Sequence, residues 1–498
     1  MTARIGRAEL ARRLWEASGA LHGAVPQHDR IGYVGALLIL KRLSDRANEA
    51  ADSDFSDGVL LHAGNLRGDG RLYVPDRARW PELAEGASPG TALDAAVRVV
   101  QDANASLEGV FWGVEFARLD PQLVRRLIGL FSDIRMADAD LARPDVVGQA
   151  FEDLIRRTAS EGRGHTGETA TPSHIAELVV RLVDPRPGLS IYDPACGSGS
   201  FLTACVRHVQ AMFGAGAAAL SLAGRERNIA AWARCRMNLL LHGLPVTGVE
   251  LGNSLALDEI PVRTAHPADR VVAHPPFAWR NWAEGRGGNI TDGFRFGPPA
   301  RQNGDYAWIQ HAFSSLNTDG VAALLLPAGV LFRHGSDGKV RQQMLQAGVI
   351  DGIVTLPPGA VFGSSVSSVV MVLRNPGVPR PRSEVFVVTG MGDPGAAPLG
   401  LPEDGWAARL SEVYLARRDV PGISRMVPYD EIARNEFILT GARYVRGQRR
   451  DIRRAPSQLR ERIRSLEVRK ARLETKMDEL LDDLERLPAS GLPRADGA

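Results

Sequence analysis

Apolar residues follow two different rhythms along the chain, and the change between them divides it. Over residues 8–50 the positions Leu10, Leu14, Leu21, Val34, Leu37, Leu38, Leu40 and Leu43 recur near helical spacing, which predicts successive helices with one buried face each. Residues 51–92 are rich in Gly, Asp, Arg and Pro and read as an irregular excursion with short elements. Helical spacing returns over 92–158 with Val97, Val100, Leu107, Leu123, Leu127, Ile128, Phe131, Val147, Phe151, Leu154 and Ile155. From residue 189 the rhythm changes. Short apolar runs at 189–192, 221–225, 246–250, 270–273, 321–327, 350–356 and 366–373 alternate with helical stretches that include 201–213, 228–242 and 305–317. That alternation predicts a doubly wound α/β sheet. Near the end, Leu459, Ile463, Leu466, Lys470, Leu473, Met477, Leu480, Leu484 and Leu487 alternate by four and three between Pro456 and Pro488. With only Lys470 polar, the run predicts a coiled-coil helix, and Lys470 is placed to set its register or partner. Four segments result: an N-terminal helical domain at 1–158, an α/β domain at 159–376, a C-terminal extension at 377–450 and a coiled-coil helix at 451–490.

Composition narrows the class. The 498 residues allow two or three domains and a large core. A formal net charge of +2 means that nucleic-acid contact would have to come from local basic patches or from a partner. Arg449, Arg450, Arg453 and Arg454 form such a patch just before the coiled coil. Three cysteines (196, 205 and 235) with no CxxC pair argue against a zinc site or a disulfide framework and suit a reducing cytoplasm. Glu9, Arg12 and Arg13 interrupt any signal-peptide core, and no apolar run is long enough to span a bilayer. The expectation is a cytoplasmic protein with no membrane association.

Candidate chemistry begins at Ile191-Tyr192-Asp193-Pro194-Ala195-Cys196-Gly197-Ser198-Gly199-Ser200-Phe201-Leu202. An apolar strand runs into an acid and a glycine-rich turn, and a helix follows near Phe201. Gly197 and Gly199 permit positive φ and close approach of a ligand to the backbone, while amides at the helix start are unpaired donors. Glu226 closes the second strand, where a carboxylate can accept both hydroxyls of a ribose.

Asp-Pro-Ala-Cys-Gly-Ser-Gly resembles the S-adenosylmethionine-binding motif of amino-methylating DNA methyltransferases. Further blocks extend the resemblance over residues 8–445. They include Leu37-Leu38-Ile39-Leu40-Lys41-Arg42-Leu43-Ser44-Asp45, Asp305-Tyr306-Ala307-Trp308, Leu326-Pro327-Ala328-Gly329 and Asn435-Glu436-Phe437. Together they resemble the modification subunits of Type I restriction–modification systems. The resemblance implies a Rossmann-like S-adenosylmethionine-dependent methyltransferase sheet, with S-adenosyl-L-methionine held by Asp193, Pro194, Ala195, Gly197, Gly199 and Phe201. Glu226 then falls on the ribose and Asn253 against the adenine ring, whose edge both donates and accepts. Gly167, Glu168, Thr171 and Pro172 match a segment that closes over the methionine end, with Ala170 where an aromatic is commoner.

The catalytic tetrapeptide implied by the family is His274-Pro275-Pro276-Phe277, and it departs from the family's Asn-Pro-Pro-Phe. In that pattern the Asn carbonyl and the first Pro carbonyl accept the two hydrogens of an exocyclic adenine amine. The prolines stiffen the loop, and the aromatic stacks on a base flipped from the duplex. A neutral imidazole supplies one acceptor, at a different reach. Retained turnover, altered or slow turnover, and a cofactor-binding scaffold without turnover all remain open at this point, as does an amine substrate other than DNA. The implied reaction is N6-adenine methylation of double-stranded DNA, with the site chosen by a separate specificity subunit that docks through the coiled coil. A second copy and a restriction subunit are the other implied partners.

Overall fold

A computed structural model describes residues 4–51, 59–60, 71–85, 88–161, 171–214, 219–256, 267–280, 282, 294–357, 359–361, 367–376, 384–390 and 403–445, together with 464, 467 and 470. Met1–Arg446 form one compact unit and Gly447–Ala498 a second. Of the nine heptad positions expected to form a coiled coil, only Lys470 falls among the described residues, in a helical state; the basic run at 449–454 lies outside them.

Helices lead the first unit. α1 (Arg7–Ala20), α2 (Arg30–Ala51), α3 (Pro89–Asp102), α4 (Pro121–Ser132) and α5 (Val146–Glu161) carry the apolar positions anticipated from their spacing, with Leu10, Leu14, Leu37, Leu127 and Phe151 fully buried. α4 is capped by Asp120, whose side chain accepts from the Gln122 and Leu123 amides, and Pro121 takes the first helical position. Polar groups are buried here too. Lys41 Nζ, on α2, bonds both carboxylate oxygens of Asp45 at 2.6 and 2.5 Å, and Asp45 also accepts from the Met136 amide. The pair fixes α2 against the chain that precedes α5.

α6 (Ser173–Val183) leads into a nine-stranded sheet: β1 (Ser190–Asp193), β2 (Ser221–Glu226), β3 (Val249–Leu251), β4 (Ala268–Ala273), β5 (Leu316–Pro327), β6 (Ile350–Thr355), β7 (Ser368–Arg374), β8 (Glu384–Thr389) and β9 (Ser424–Pro428). The spatial order is β9-β8-β6-β7-β5-β4-β1-β2-β3. β7 runs antiparallel between β5 and β6, and β9 is antiparallel to β8. The sheet is therefore mixed rather than wholly parallel. In β7, Val369, Val370, Met371, Val372 and Leu373 are all fully buried, as a strand covered on both faces requires. Each such side chain contributes about 1.5–3 kcal/mol.

α7 (Ser200–Phe213) and α8 (Ile229–Leu241) follow β1 and β2, and α9 (Asp305–Ser314) precedes β5. The boundary expected at residue 376 falls between two strands of one sheet, because β8 pairs in parallel with β6. The boundary expected at 158 falls inside α5.

Candidate active site

Strand order reverses between β1 and β4, so the crevice beyond their carboxyl ends is a topological switch point, the usual ligand position in an open α/β sheet. Asp193 ends β1 at this crevice with 1% exposure. Among the described residues its carboxylate accepts one hydrogen bond, from the Ala195 amide at 3.0 Å. Burial, with the nearby Glu226 charge, pushes its pKa up to about 8.

Gly197 and Gly199 have φ of 52° and 80°, and a Cβ at Gly199 would stand 2.8 Å from Cys235 Sγ. The turn thus requires glycine there both for its φ and for the space. Pro194 is buried, and its carbonyl accepts from Ser254 Oγ at 2.6 Å. Ala195 packs against an apolar cluster containing Leu255 and Trp308. Phe201 differs from its neighbours in the motif. Its ring is 3% exposed within the hydrophobic core, so its means of meeting a ligand is its amide in the first turn of α7.

Glu226 ends β2 and reaches back to the turn. One carboxylate oxygen accepts from the Gly197 amide at 3.0 Å, the other from the Asn228 amide at 2.7 Å. Asn228 then caps α8 through the Ala230 and Ala231 amides. Asn253, beyond β3, accepts from the Leu255 amide through Oδ1 at 3.1 Å. Its Nδ2 has no partner among the described residues. These side chains come from three adjacent strand ends around one turn.

His274-Pro275-Pro276-Phe277 follows β4 directly. The His274 ring lies 5.2 Å from the Phe277 ring, and its Nδ1 is 3.0 Å from Thr171 Oγ1. Burial pushes the imidazole pKa down to about 4, so the ring is neutral around pH 7. Pro172 caps α6 directly after Thr171. Gly167 and Glu168 lie outside the described residues.

The loop is held from behind by residues read from sequence only as a helix start and a core strand end. Ala278 has φ of 50°, and its amide donates to Asp305 Oδ1 at 3.0 Å. Asp305 is 1% exposed and ion-paired with Arg333, which also reaches Asp337 at 2.9 Å. Another link crosses from the helical segment. Glu152 of α5 accepts from Thr203 and, at 2.8 Å through both oxygens, from Arg207, both on the helix that follows the glycine turn. Burial opposes ionisation of Glu152, but the neighbouring His242, Arg207 and Thr203 hold its pKa below the carboxylate range. No local motif announces any of these partners.

An acid-and-glycine turn and a second acid at the β1/β2 edge of a switch point, with a proline-stiffened loop after β4, define the S-adenosylmethionine-dependent methyltransferase class. Within that class the chain belongs to the N-6 DNA methylase family, whose profile matches residues 142–452. The profile for the HsdM N-terminal domain matches residues 10–131. Among curated proteins, the Type I restriction enzyme MjaVIII methylase subunit of Methanocaldococcus jannaschii is 26% identical over 396 residues, covering 75% of this chain and 65% of that protein. The HindI methylase subunit of Haemophilus influenzae is 25% identical over 413 residues, covering 75% of this chain and 89% of that protein. The chain spans just under two thirds of the MjaVIII subunit and of its MjaVII counterpart. A type I restriction-modification methyltransferase subunit from Streptococcus thermophilus superposes with a TM-score of 0.73 at 22% identity, covering 89% of this chain and 100% of that one. A modification subunit of a type I restriction enzyme from Vibrio vulnificus gives 0.63 at 19% identity, covering 87% and 94%.

Proposed function

We propose that this chain is the modification subunit of a Type I restriction–modification system, transferring a methyl group from S-adenosyl-L-methionine to adenine N6 in double-stranded DNA. A separate specificity subunit chooses the sequence. The observation that carries this reading is the gathering of Asp193, the glycine turn, Glu226, Asn253 and His274-Pro275-Pro276-Phe277 at one switch point of a family-typical sheet.

The cofactor's sulfonium supplies an electrophilic methyl group when bound, and the residues fit its other groups. Asp193, a buried carboxylate with one hydrogen bond and a pKa near 8, is a site short of a cation, which an α-ammonium satisfies. Amides of the first α7 turn, together with Gly167, Glu168, Thr171 and Pro172, would surround the methionine end. Glu226 would accept the ribose hydroxyls, and Asn253 Nδ2 would donate to the adenine edge.

An exocyclic adenine amine is a weak nucleophile because its lone pair is delocalised into the ring. Accepting its two hydrogens favours a tetrahedral nitrogen with a lone pair free for attack. His274 performs half of that task if its proton sits on Nδ1 and is donated to Thr171 Oγ1, since Nε2 is then the acceptor. The Pro275 carbonyl takes the second hydrogen. With its pKa pushed down to about 4, the imidazole serves as an acceptor and not as a proton store. The proton lost from the methylated amine passes to water. Phe277 stacks on the flipped base. The specificity subunit docks on the heptad run at 451–490, a second copy and a restriction subunit complete the assembly, and the setting is the cytoplasm. No helix among the described residues is long and apolar enough to cross a membrane.

The test is long-read sequencing for methylated adenine in DNA from cells that express the chain with its specificity subunit. Wild type is compared with His274→Asn and Asp193→Ala. One methylated motif in wild type, lost in Asp193→Ala, is the expected result. Methylation only in His274→Asn would make the natural protein a scaffold without turnover. Methylation in none of the three, with the complex intact, would sink the proposal.

A further inference from the structure

Arg227 follows Glu226 beyond the end of β2, and Trp279 lies two residues after Phe277 beyond β4. β1 runs between those two strands. The Arg227 guanidinium nevertheless stands over the Trp279 ring, 4.7 Å from its centroid. With neighbouring strands about 4.8 Å apart, this contact reaches across two strand spacings and passes over the end of β1, where the glycine turn opens. Trp279 in turn stacks on Trp308 with centroids 6.2 Å apart and planes at 26°. Trp308 belongs to the apolar cluster of Leu255, Trp282, Phe294 and Ala307, against which Trp279 and Ala195 both pack. Since Leu255 is two residues from Asn253 and Ala195 lies in the turn, the cluster floors the adenosine end of the crevice. Trp308 is 4% exposed, and its Nε1 has no acceptor among the described residues.

We propose that Arg227 and Trp279 form a strap across the adenosine end of the cofactor cleft, closing on the adenine ring and tying its presence to the catalytic loop. The inference rests on S-adenosylmethionine being the cofactor. Two stacking contacts of about 3.5 Å each need a gap of about 7 Å between guanidinium and indole. The exposed Arg227 side chain can swing out that far with no change in strand position. A planar guanidinium stacks on aromatic faces in a way that a lysine ammonium does not. Trp279 is fixed beneath by Trp308 and joined through Ala278 to Phe277. Adenine held against it therefore steadies the loop that meets the target base. Arg227 and Trp279 are cofactor-binding residues in this scheme.

The experiment titrates the full chain with S-adenosyl-L-homocysteine, reading Kd by calorimetry and tryptophan emission in parallel. Wild type is expected to bind with a change in emission that disappears in Trp279→Phe. Arg227→Ala is expected to weaken binding about tenfold, with Arg227→Lys in between. Adenosine alone should reproduce the emission change and methionine alone should not. The strap is overturned if Arg227→Ala and Arg227→Lys bind as wild type does, or if Trp279→Phe keeps the full emission change. Absence of S-adenosyl-L-homocysteine binding to wild type would instead remove the cofactor reading, and the strap with it. Thermal melting of Arg227→Ala, an exposed position, confirms that any loss is local.

Discussion

The two halves of the crevice are built differently. On the β1/β2 side, contacts run between near neighbours or adjacent strand ends: Asp193 with the amide two residues on, Glu226 with an amide 29 residues back. On the β4 side, the proline loop depends on residues that lie outside any strand end, ahead of α6, at the start of α9 and beyond β5. Thr171 meets His274 across 103 positions, and Asp305 joins Ala278 and Arg333 across 27 and 28. A half assembled from its own motif tolerates little change within it. A half positioned from outside can accept a new side chain at one point, provided an external partner orients it. His274 lies in the second half, with Thr171 beside it.

Perturbations on each side should therefore separate binding from turnover. The largest effect is expected from Asp193→Asn, which should weaken S-adenosyl-L-homocysteine binding by at least about a hundredfold, because a buried ammonium would lose its counter-charge. In wild type, affinity should rise with pH through about 8, since the Asp193 carboxyl must give up its proton to pair with that cation. Calorimetry in buffers of different ionisation enthalpy should register the released proton, and Asp193→Asn should flatten the dependence. The same raised pKa costs the ligand-free protein stability as pH climbs from 3.8 towards 8, so thermal melts should show cofactor protection growing over that interval.

On the other side, Asp305→Asn should lower the methylation rate about a hundredfold through a misplaced loop while leaving the Kd for S-adenosyl-L-homocysteine within about twofold. Arg333 retains Asp337 as a partner in that variant, so the fold should persist. Equal losses in binding and rate would erase the distinction between the halves. The smallest effect belongs to Thr171→Val, expected to lower kcat about tenfold by freeing the His274 tautomer, with Thr171→Ser restoring it. A change confined to KM would remove Thr171 from that role.

Local pattern made much of this architecture legible in advance. The seven short apolar runs correspond to β1–β7, and the acid-glycine turn and the proline loop stand at adjoining strand ends. β8 carried the same signal in Val385-Phe386-Val387-Val388, yet it falls in the stretch read from sequence as a helix-prone C-terminal extension. Asp305, Arg333 and Arg227 could not be read as parts of the site, because a lone charged residue in sequence looks like a solvated one. Their meaning arises when distant strand ends meet.

The contact of Glu152 with Thr203 and Arg207 bears on how such proteins can exchange parts. Glu152 and the rest of α5 lie inside the profile match that starts at 142, whereas the HsdM N-terminal match stops at 131. A recombinant that took its helical segment from one relative and its sheet from another, joined after α5, would pair Thr203 and Arg207 with a foreign neighbour. A buried charge stranded in this way costs about 3–5 kcal/mol. A seam between 131 and 142, ahead of α5, keeps the helix that steadies the glycine turn with that turn, and gives Asp153 a foreign neighbour in place of Arg7 of α1 instead.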